Sequence, residues 1–144
     1  MKVFVQREYS DAILPERAHS TDAGWDIYAY KDTLVEAGGR NVVDIGIRII
    51  VEAGYYYTFA PRSSLAFQEN LIVSHHNVMD AGYSGQCGVL MWNRGSADYK
   101  IVKGSRFCQV IFHKVPEVDM HVVKRLYDLP KLSRSKGGFG SSGR

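Results

Sequence analysis

The sequence has few cysteines and no long hydrophobic segment. Cys87 and Cys108 are the only cysteines among 144 residues, too few for a disulfide framework. We therefore expect buried thiols in a reducing compartment, the cytoplasm, or the host cytoplasm if the protein is viral. No run of about 18 apolar residues could cross a membrane. The first residues show no long apolar stretch after a basic start, so we expect no secretory signal.

The chain also has little excess charge. Its net charge of +3 is too small to imply nucleic acid, and we expect no such partner. Residues 124–144 hold six bases and one acid, a net charge of +5, which leaves −2 for the rest. A basic tail on a slightly acidic body suggests contact with an anion. On charge alone, a solvated and disordered tail is the simpler interpretation.

Most apolar segments are short, rich in β-branched or aromatic residues, and bounded by turn residues. Many such segments at near-regular spacing predict an all-β protein, a sandwich, barrel or jelly roll. A single short helix is predicted near residues 62–67, where Pro61 and two serines suit a helix start. The predicted strands are 3–5, 25–29, 42–47, 55–59, 71–73, 89–92, 99–102 and 106–112, with a further strand-like segment at 120–123.

We expect the chain to divide into one domain, residues 1–133, and a mobile C-terminal segment, residues 134–144. Glycines in this tail lose too much backbone entropy to hold a rigid fold alone, so it should order only on a ligand or a neighbouring chain. Its glycine amides and Arg134 suit phosphate oxygens. Phe139 has no obvious core to join, and stacking on a base explains it better than packing does.

Two further segments have candidate chemistry. Residues 80–85 (DAGYSG) predict a hairpin with a distorted turn, in which Asp80 and Tyr83 could face a ligand. A turn whose acid only forms turn hydrogen bonds is the simpler interpretation. Residues 61–66 (PRSSLA) place an arginine and two hydroxyls at a helix start, which favours phosphate. Here the alternative is a common N-cap.

Five segments, taken in order, resemble the five motifs of trimeric dUTPases. Each motif alone is modest, and the last is the most distinctive. They extend over nearly the whole chain, from about Pro15 to the C-terminus. The segments are 18–27 (AHSTDAGWDI), 61–66 (PRSSLA), 78–85 (VMDAGYSG), 104–111 (GSRFCQVI) and 134–143 (RSKGGFGSSG).

The resemblance implies a jelly-roll subunit, a homotrimer and hydrolysis of dUTP to dUMP and pyrophosphate with Mg2+ as cofactor. Each active site in this family is shared by three chains. The first, second and fourth motifs come from one subunit, the third from another, and the tail from the third. Such an activity keeps uracil out of DNA and supplies dUMP for dTMP synthesis.

The resemblance also implies roles for individual residues. Asp80 would be the general base that activates water, Tyr83 would pack on the deoxyribose, and Asp26 would hold Mg2+ through its waters. The turn backbone around residues 77–83 would recognise the uracil edge. The remaining substrate-binding residues would be Arg62, Ser63, Ser64, Asn77, Met79, Gln109, Arg134, Phe139, Gly140, Ser141 and Ser142.

The sequence departs from the family pattern at four positions. Ser64 replaces a glycine, Gly82 replaces a second acid, and Asn77 stands where a glycine often precedes the catalytic acid. The last two lie beside the base pocket and bear on the strictness of uracil selection. Ser105 replaces an aspartate, which would remove an ion pair with Arg106.

Two other functions fit part of the sequence. A dCTP deaminase shares the fold and two motifs, but it carries a glutamate on the strand after residue 85, near where Leu90 stands here. That strand has no acid, and a proton shuttle cannot be built from leucine. A catalytically inactive binding or regulatory protein is the second alternative, although Asp80 and Arg134 are both present.

Overall fold

The structure of the protein, a computed structural model, describes residues 1–74 and 78–125. Strands dominate these ranges, which confirms the all-β prediction. The elements are β1 (Val3–Arg7), β2 (Gly24–Tyr28), β3 (Thr33–Val35), β4 (Arg40–Asp44), β5 (Ile47–Val51), β6 (Tyr55–Pro61), α1 (Ser63–Gln68), β7 (Leu71–Val73), β8 (Val78–Asp80), β9 (Gly88–Asn93), β10 (Tyr99–Ile101) and β11 (Arg106–Lys114).

All the strand pairs described are antiparallel, and they form four small sheets. The largest has the order β2-β11-β6-β8, and a second has the order β4-β9-β7. Strands β1 and β5 form a two-stranded sheet, as do β3 and β10. The long strand β11 pairs with both β2 and β6, so it joins segments that are far apart in sequence.

Alternation of buried and exposed side chains places the core between the sheets. Ile47, Ile49 and Val51 of β5 are buried while the residues between them are half-exposed. Val89 and Met91 of β9 face the same interior. Burying one such side chain stabilises the fold by roughly 1.5–3 kcal/mol. Both cysteines are buried free thiols, as predicted.

The predicted strand 42–47 is wrong as a single element. Strand β4 ends at Asp44 and β5 begins at Ile47, because Gly46 adopts a positive φ of 67° that breaks the extended chain. The Asp44 carboxylate accepts a hydrogen bond of 2.8 Å from the Gly46 amide and fixes this bend. Val42, Val43, Ile45 and Ile47 resemble one continuous strand in the sequence, and residues 43–47 on both sides of the bend are buried, so the apolar pattern did not reveal the break.

The predicted hairpin at residues 80–85 is also wrong. Strand β8 pairs with β6, whereas β9 pairs with β4 and β7, so the intervening turn links two different sheets. We call residues 81–87 the β8–β9 turn. Adjacency in sequence predicted pairing of the flanking strands, but each strand found its partner elsewhere in the fold.

The strand-like segment at residues 120–123 does not form a strand. Met120 and Val122 have exposed fractions of 87% and 102%, so their side chains do not contribute to the core. An alternating apolar segment becomes a strand only when a sheet edge pairs with it. Among the described residues, no helix has the length and apolar character needed to cross a membrane.

Candidate active site

Strand β11 aligns Asp26 of the first motif and Gln109 of the fourth on one sheet face, beside the end of β6 where the second motif begins. Gln109 lies opposite Asp26 of β2 on one side and opposite Ala60 of β6 on the other. Directly paired residues project to the same face of an antiparallel sheet. The strand pairing therefore brings the first, second and fourth motifs together within one chain.

Asp26 is held by two arginines. Arg106 donates a hydrogen bond from Nη1 to Asp26 Oδ2 at 3.0 Å, and Arg62 Nε lies 3.4 Å from Oδ1. Arg62 Nη1 also donates to the Arg106 carbonyl at 3.1 Å. The three side chains together carry one net positive charge beside a carboxylate that is only 18% exposed. Such a cluster suits an anionic ligand.

Sequence reasoning did not include Arg106 among the site residues. It anticipated only that Ser105 would remove a local ion pair with this arginine. In the structure, the Ser105 hydroxyl donates to the Val102 carbonyl at 2.6 Å, and Arg106 pairs with Asp26 instead. The sequence feature that could have identified Arg106 as a site residue is its position three residues before Gln109 in the fourth motif.

Gln109 depends on a glycine on the neighbouring strand. Its Nε2 donates to the Pro61 carbonyl at 3.3 Å. A Cβ at Gly24 would collide with Gln109 Oε1, so a larger residue at this position would displace Gln109 from its present conformation. Gly24 is a second residue that sequence reasoning did not identify, although it lies within the first motif.

Arg62 occupies the N-cap of α1, directly after β6. It forms no side-chain cap hydrogen bond, so the interpretation of this segment as an ordinary side-chain N-cap is wrong. Ser63 and Ser64 lie in the first turn and are exposed. The helix near residues 62–67 is confirmed, with its start one residue later than predicted.

Asp80 lies at the other end of the same sheet face. It is exposed on the edge strand β8 and pairs with Tyr56 of β6, four residues from Ala60. Asp26 lies on β2, three strands across the sheet from β8, and is displaced from Asp80 by four residues along the strand direction. Together these offsets give a distance on the order of 20 Å between the two residues. Within one chain, the structure therefore does not bring Asp80 to the arginine cluster.

The β8–β9 turn has an ordered local structure. The Tyr83 amide donates to the Asp80 carbonyl at 3.0 Å, and the Tyr83 hydroxyl donates to the Gln86 carbonyl at 3.2 Å. The Tyr83 ring lies so close to Gly85 that a Cβ there would be 2.6 Å from its hydroxyl. Met79 is half-buried and packs against the core. Tyr83 therefore presents its ring from a tightly folded turn.

A buried thiol lies next to Gln109 in the chain. Burial raises the pKa of Cys108 well above its usual value, and the nearby Asp26 carboxylate raises it further. The thiol is therefore uncharged at neutral pH and is a poor nucleophile. The cluster can bind and orient an anion, but Cys108 does not supply its chemistry.

Several predicted site residues lie outside the described residues, so their roles stay predictions. They are Asn77, Arg134, Phe139, Gly140, Ser141 and Ser142. The predicted mobile segment, residues 134–144, is outside the described ranges as well.

The comparisons with known proteins agree with the motifs. A family model described as dUTPase matches residues 10–143. Curated relatives named deoxyuridine 5'-triphosphate nucleotidohydrolase include that of Solanum lycopersicum, 37% identical over 96% of this chain and 80% of its own length. The relative from Saccharomyces cerevisiae is 36% identical over 96% of this chain and 92% of its own length. The relative from Fowlpox virus (strain NVSL) is 34% identical over 99% of this chain and 97% of its own length.

Solved structures agree with the fold. The Staphylococcus bacteriophage 80alpha dUTPase with dUPNHPP superposes with a TM-score of 0.89 at 24% identity, covering 99% of both chains. A mutant dUTPase from phage phi11 of S. aureus, described with a structural Mg(II) ion, has a TM-score of 0.79 at 20% identity, over 88% of this chain and 99% of its own. These likenesses confirm the predicted jelly-roll type of fold, and with the family match over residues 10–143 they mean that the chain belongs to the dUTPase family.

Proposed function

We propose that this protein hydrolyses dUTP to dUMP and pyrophosphate by attack of water on the α-phosphorus. The observation that carries the proposal is the family match over residues 10–143, within which Asp26, Arg62, Asp80 and Gln109 all have the residue types that the reaction requires. The reaction keeps uracil out of DNA and supplies dUMP for dTMP synthesis.

The arginine cluster is the proposed binding site for the phosphate chain. Arg62 and Arg106 share a single carboxylate, so positive charge remains for phosphate oxygens. Ser63, Ser64 and Gln109 add neutral donors at the same end of the sheet. Fixed donors that need no rearrangement stabilise the charge that develops during phosphoryl transfer.

Asp80 is the proposed general base. Its carboxylate is exposed at the sheet edge, where a water molecule and a nucleotide from another subunit can approach. A carboxylate held within hydrogen-bond reach of a water can remove its proton during attack. Tyr83, in the adjoining turn, packs on the deoxyribose and leaves no room for a 2′-hydroxyl, while the backbone around Met79 recognises the uracil edge.

Mg2+ is the proposed cofactor, and the donor set fits a metal that is bound mainly by substrate. No group of three or more metal-ligating side chains occurs in the described part of the chain. Mg2+ keeps much of its water shell and takes phosphate oxygens as ligands, so one outer-shell carboxylate is sufficient. Asp26 would provide that carboxylate. When bound, the ion would neutralise charge on the phosphate chain.

A homotrimer with shared active sites accounts for the distance between Asp80 and Asp26. A separation on the order of 20 Å is too long for both side chains to act on one nucleotide within a single chain. A second subunit would bring its Asp80 to the arginine cluster. The tail of a third would add Arg134, Ser141 and Ser142 at the terminal phosphates and Phe139 over the base.

The decisive experiment is a nucleotide panel. The purified protein is incubated with dUTP, dTTP, dCTP or UTP, with and without Mg2+, and released pyrophosphate is measured. We expect rapid release from dUTP only, and strong dependence on Mg2+. Absence of dUTP turnover with Mg2+ at neutral pH would refute the proposal. Ammonia release from dCTP would favour a deaminase, although β9 has no acid to support one.

A further inference from the structure

The β8–β9 turn is held in place by side chains from outside it. Arg48 of β5 donates from Nη1 to the Ser84 carbonyl at 3.2 Å. Gln86 Nε2 donates to Asp44 Oδ2 at 3.4 Å, at the end of β4. Residues 82–84 are exposed, so these contacts compensate for the small amount of packing around the turn.

Arg48 is itself fixed by an acid on a third segment. Its Nε lies 2.6 Å from Glu8 Oε1, and the Glu8 side chain is only 14% exposed. The Glu8 amide donates to the Gly46 carbonyl at 2.9 Å, which anchors the acid to the bend before β5. Arg48 lies opposite Gln6 in the β1–β5 pair. The backbone at both Glu8 and Arg48 is therefore fixed by hydrogen bonds. The Arg48 guanidinium contacts the Glu8 carboxylate and the Ser84 carbonyl at the same time.

We propose that the Glu8–Arg48 pair positions Tyr83 through the Ser84 carbonyl and thereby sets the preference for deoxyribose over ribose. The inference rests on the proposed function. Tyr83 and Ser84 are consecutive residues. A movement of the Ser84 carbonyl therefore changes the backbone conformation at Tyr83. Glu8 and Arg48 are positioning residues, because neither touches the nucleotide.

The pair is better suited to positioning than to general stability. Partly exposed ion pairs contribute little to the free energy of unfolding. In contrast, a displacement of about 1 Å at a site residue can change turnover by as much as about 100-fold. Loss of Arg48 leaves the mostly buried Glu8 carboxylate without its partner and so lowers the free energy of unfolding, but neither side chain belongs to the hydrophobic core, and the main effect should be a looser turn.

The test compares Arg48→Ala with the full-length wild type in the presence of Mg2+. Its first measurement is kcat/KM for dUTP and for UTP. We expect the dUTP:UTP ratio to fall by at least about tenfold, with UTP gaining relative to dUTP. Hydrogen exchange of peptides covering residues 79–86 is the second measurement, and we expect faster exchange there. Arg48→Lys, whose single ammonium cannot reproduce both contacts of the guanidinium, should restore only part of the ratio.

Lys100→Ala is the matched control, because Lys100 forms an exposed ion pair of 2.6 Å with Asp32, away from the turn. It should leave both the ratio and the exchange unchanged. An unchanged ratio in a folded Arg48→Ala protein would overturn the inference, as would equal losses for dUTP and UTP. Inactivity of the wild type on dUTP would instead refute the proposed function, and the exchange measurement would still decide whether Arg48 orders the turn.

Discussion

Asp26 and Arg106 form an ion pair of 3.0 Å between β2 and β11, 80 positions apart in the sequence. Arg62 completes the arrangement on the other carboxylate oxygen at 3.4 Å. One acid thus keeps two guanidiniums close together, although their charges repel each other. In the proposed function, this arrangement would pre-order two cations for the phosphate chain before any substrate is bound.

Replacing Arg106 with glutamine should weaken dUTP binding. A hydrogen bond to a charged group contributes about 1.5–3 kcal/mol, which corresponds to an increase of roughly 10- to 100-fold in KM. Steady-state kinetics with saturating Mg2+ measures this change. Arg94→Gln is the matched control, because Arg94 is an exposed arginine that lies over Trp92 on the other large sheet. An unchanged KM in the Arg106 variant would contradict a role in substrate binding.

The Arg106 contact shows which features local sequence patterns could predict. Strands β6 and β11 were predictable because their β-branched and aromatic residues are confined between turn residues. The order of the five motifs indicated the family. The contact of Arg106 with Asp26 was not predictable from local patterns, because it depends on the register of two strands that are distant in sequence.

The dependence on strands that are distant in sequence also explains the errors in the predicted fold. Pairing of β8 with β6 rather than β9 is decided by the packing of whole sheets, and no local pattern encodes it. The exposed segment at residues 120–123 has the alternation of a strand, but no sheet edge pairs with it in the described part of the chain. Within one chain the candidate site is likewise incomplete, since Asp80 and Asp26 lie at opposite ends of one sheet face.

Asp80→Asn should preserve nucleotide binding and abolish most turnover. Asparagine keeps the size of the side chain and a hydrogen-bond acceptor, but it cannot take the proton from water. Loss of a general base typically costs about 100- to 10,000-fold in kcat. Calorimetric titration with dUMP measures binding, and pyrophosphate release measures turnover. A variant with wild-type kcat would remove Asp80 from the proposed mechanism.

Gly24→Ala should reduce activity by displacing Gln109. The added methyl group would collide with Gln109 Oε1, so the glutamine would have to leave its bond to the Pro61 carbonyl. We expect kcat/KM for dUTP to fall by about tenfold. The Gln109→Ala variant gives a direct check, because it removes the colliding atoms. If Gly24→Ala costs as much in that background as in the wild type, the effect does not pass through Gln109.

Deletion of residues 134–144 should sharply reduce turnover while the assembly persists. The proposed role of this tail is to close over the nucleotide, and loss of such positioning costs about 100-fold or more. Turnover of dUTP and sedimentation velocity of the truncated protein measure the two effects separately. Substitution of Lys124 by alanine, outside the deleted segment, serves as a control. Normal turnover of the truncated protein would refute the role of the tail.

Stability at alkaline pH should report on Cys108. Burial and the nearby Asp26 raise the pKa of this thiol well above its ordinary value of 9.0. In the unfolded chain the thiol ionises near pH 9, whereas in the folded protein it stays neutral. Its contribution to stability is therefore complete below pH 9 and is lost as pH rises, because ionisation then favours the unfolded chain.

The free energy of unfolding should accordingly decrease between pH 9 and 10, by up to about 1.4 kcal/mol per pH unit for this one proton. The buried hydroxyl of Tyr57, whose pKa is also raised, from 10.0, adds a similar effect only above pH 10. Urea midpoints measured at fixed protein concentration from pH 7 to 10 test this dependence. Cys108→Ala should have a lower midpoint at pH 7, because it leaves a cavity, but a shallower decrease between pH 9 and 10. Parallel curves for the two proteins would mean that Cys108 does not cause the alkaline loss.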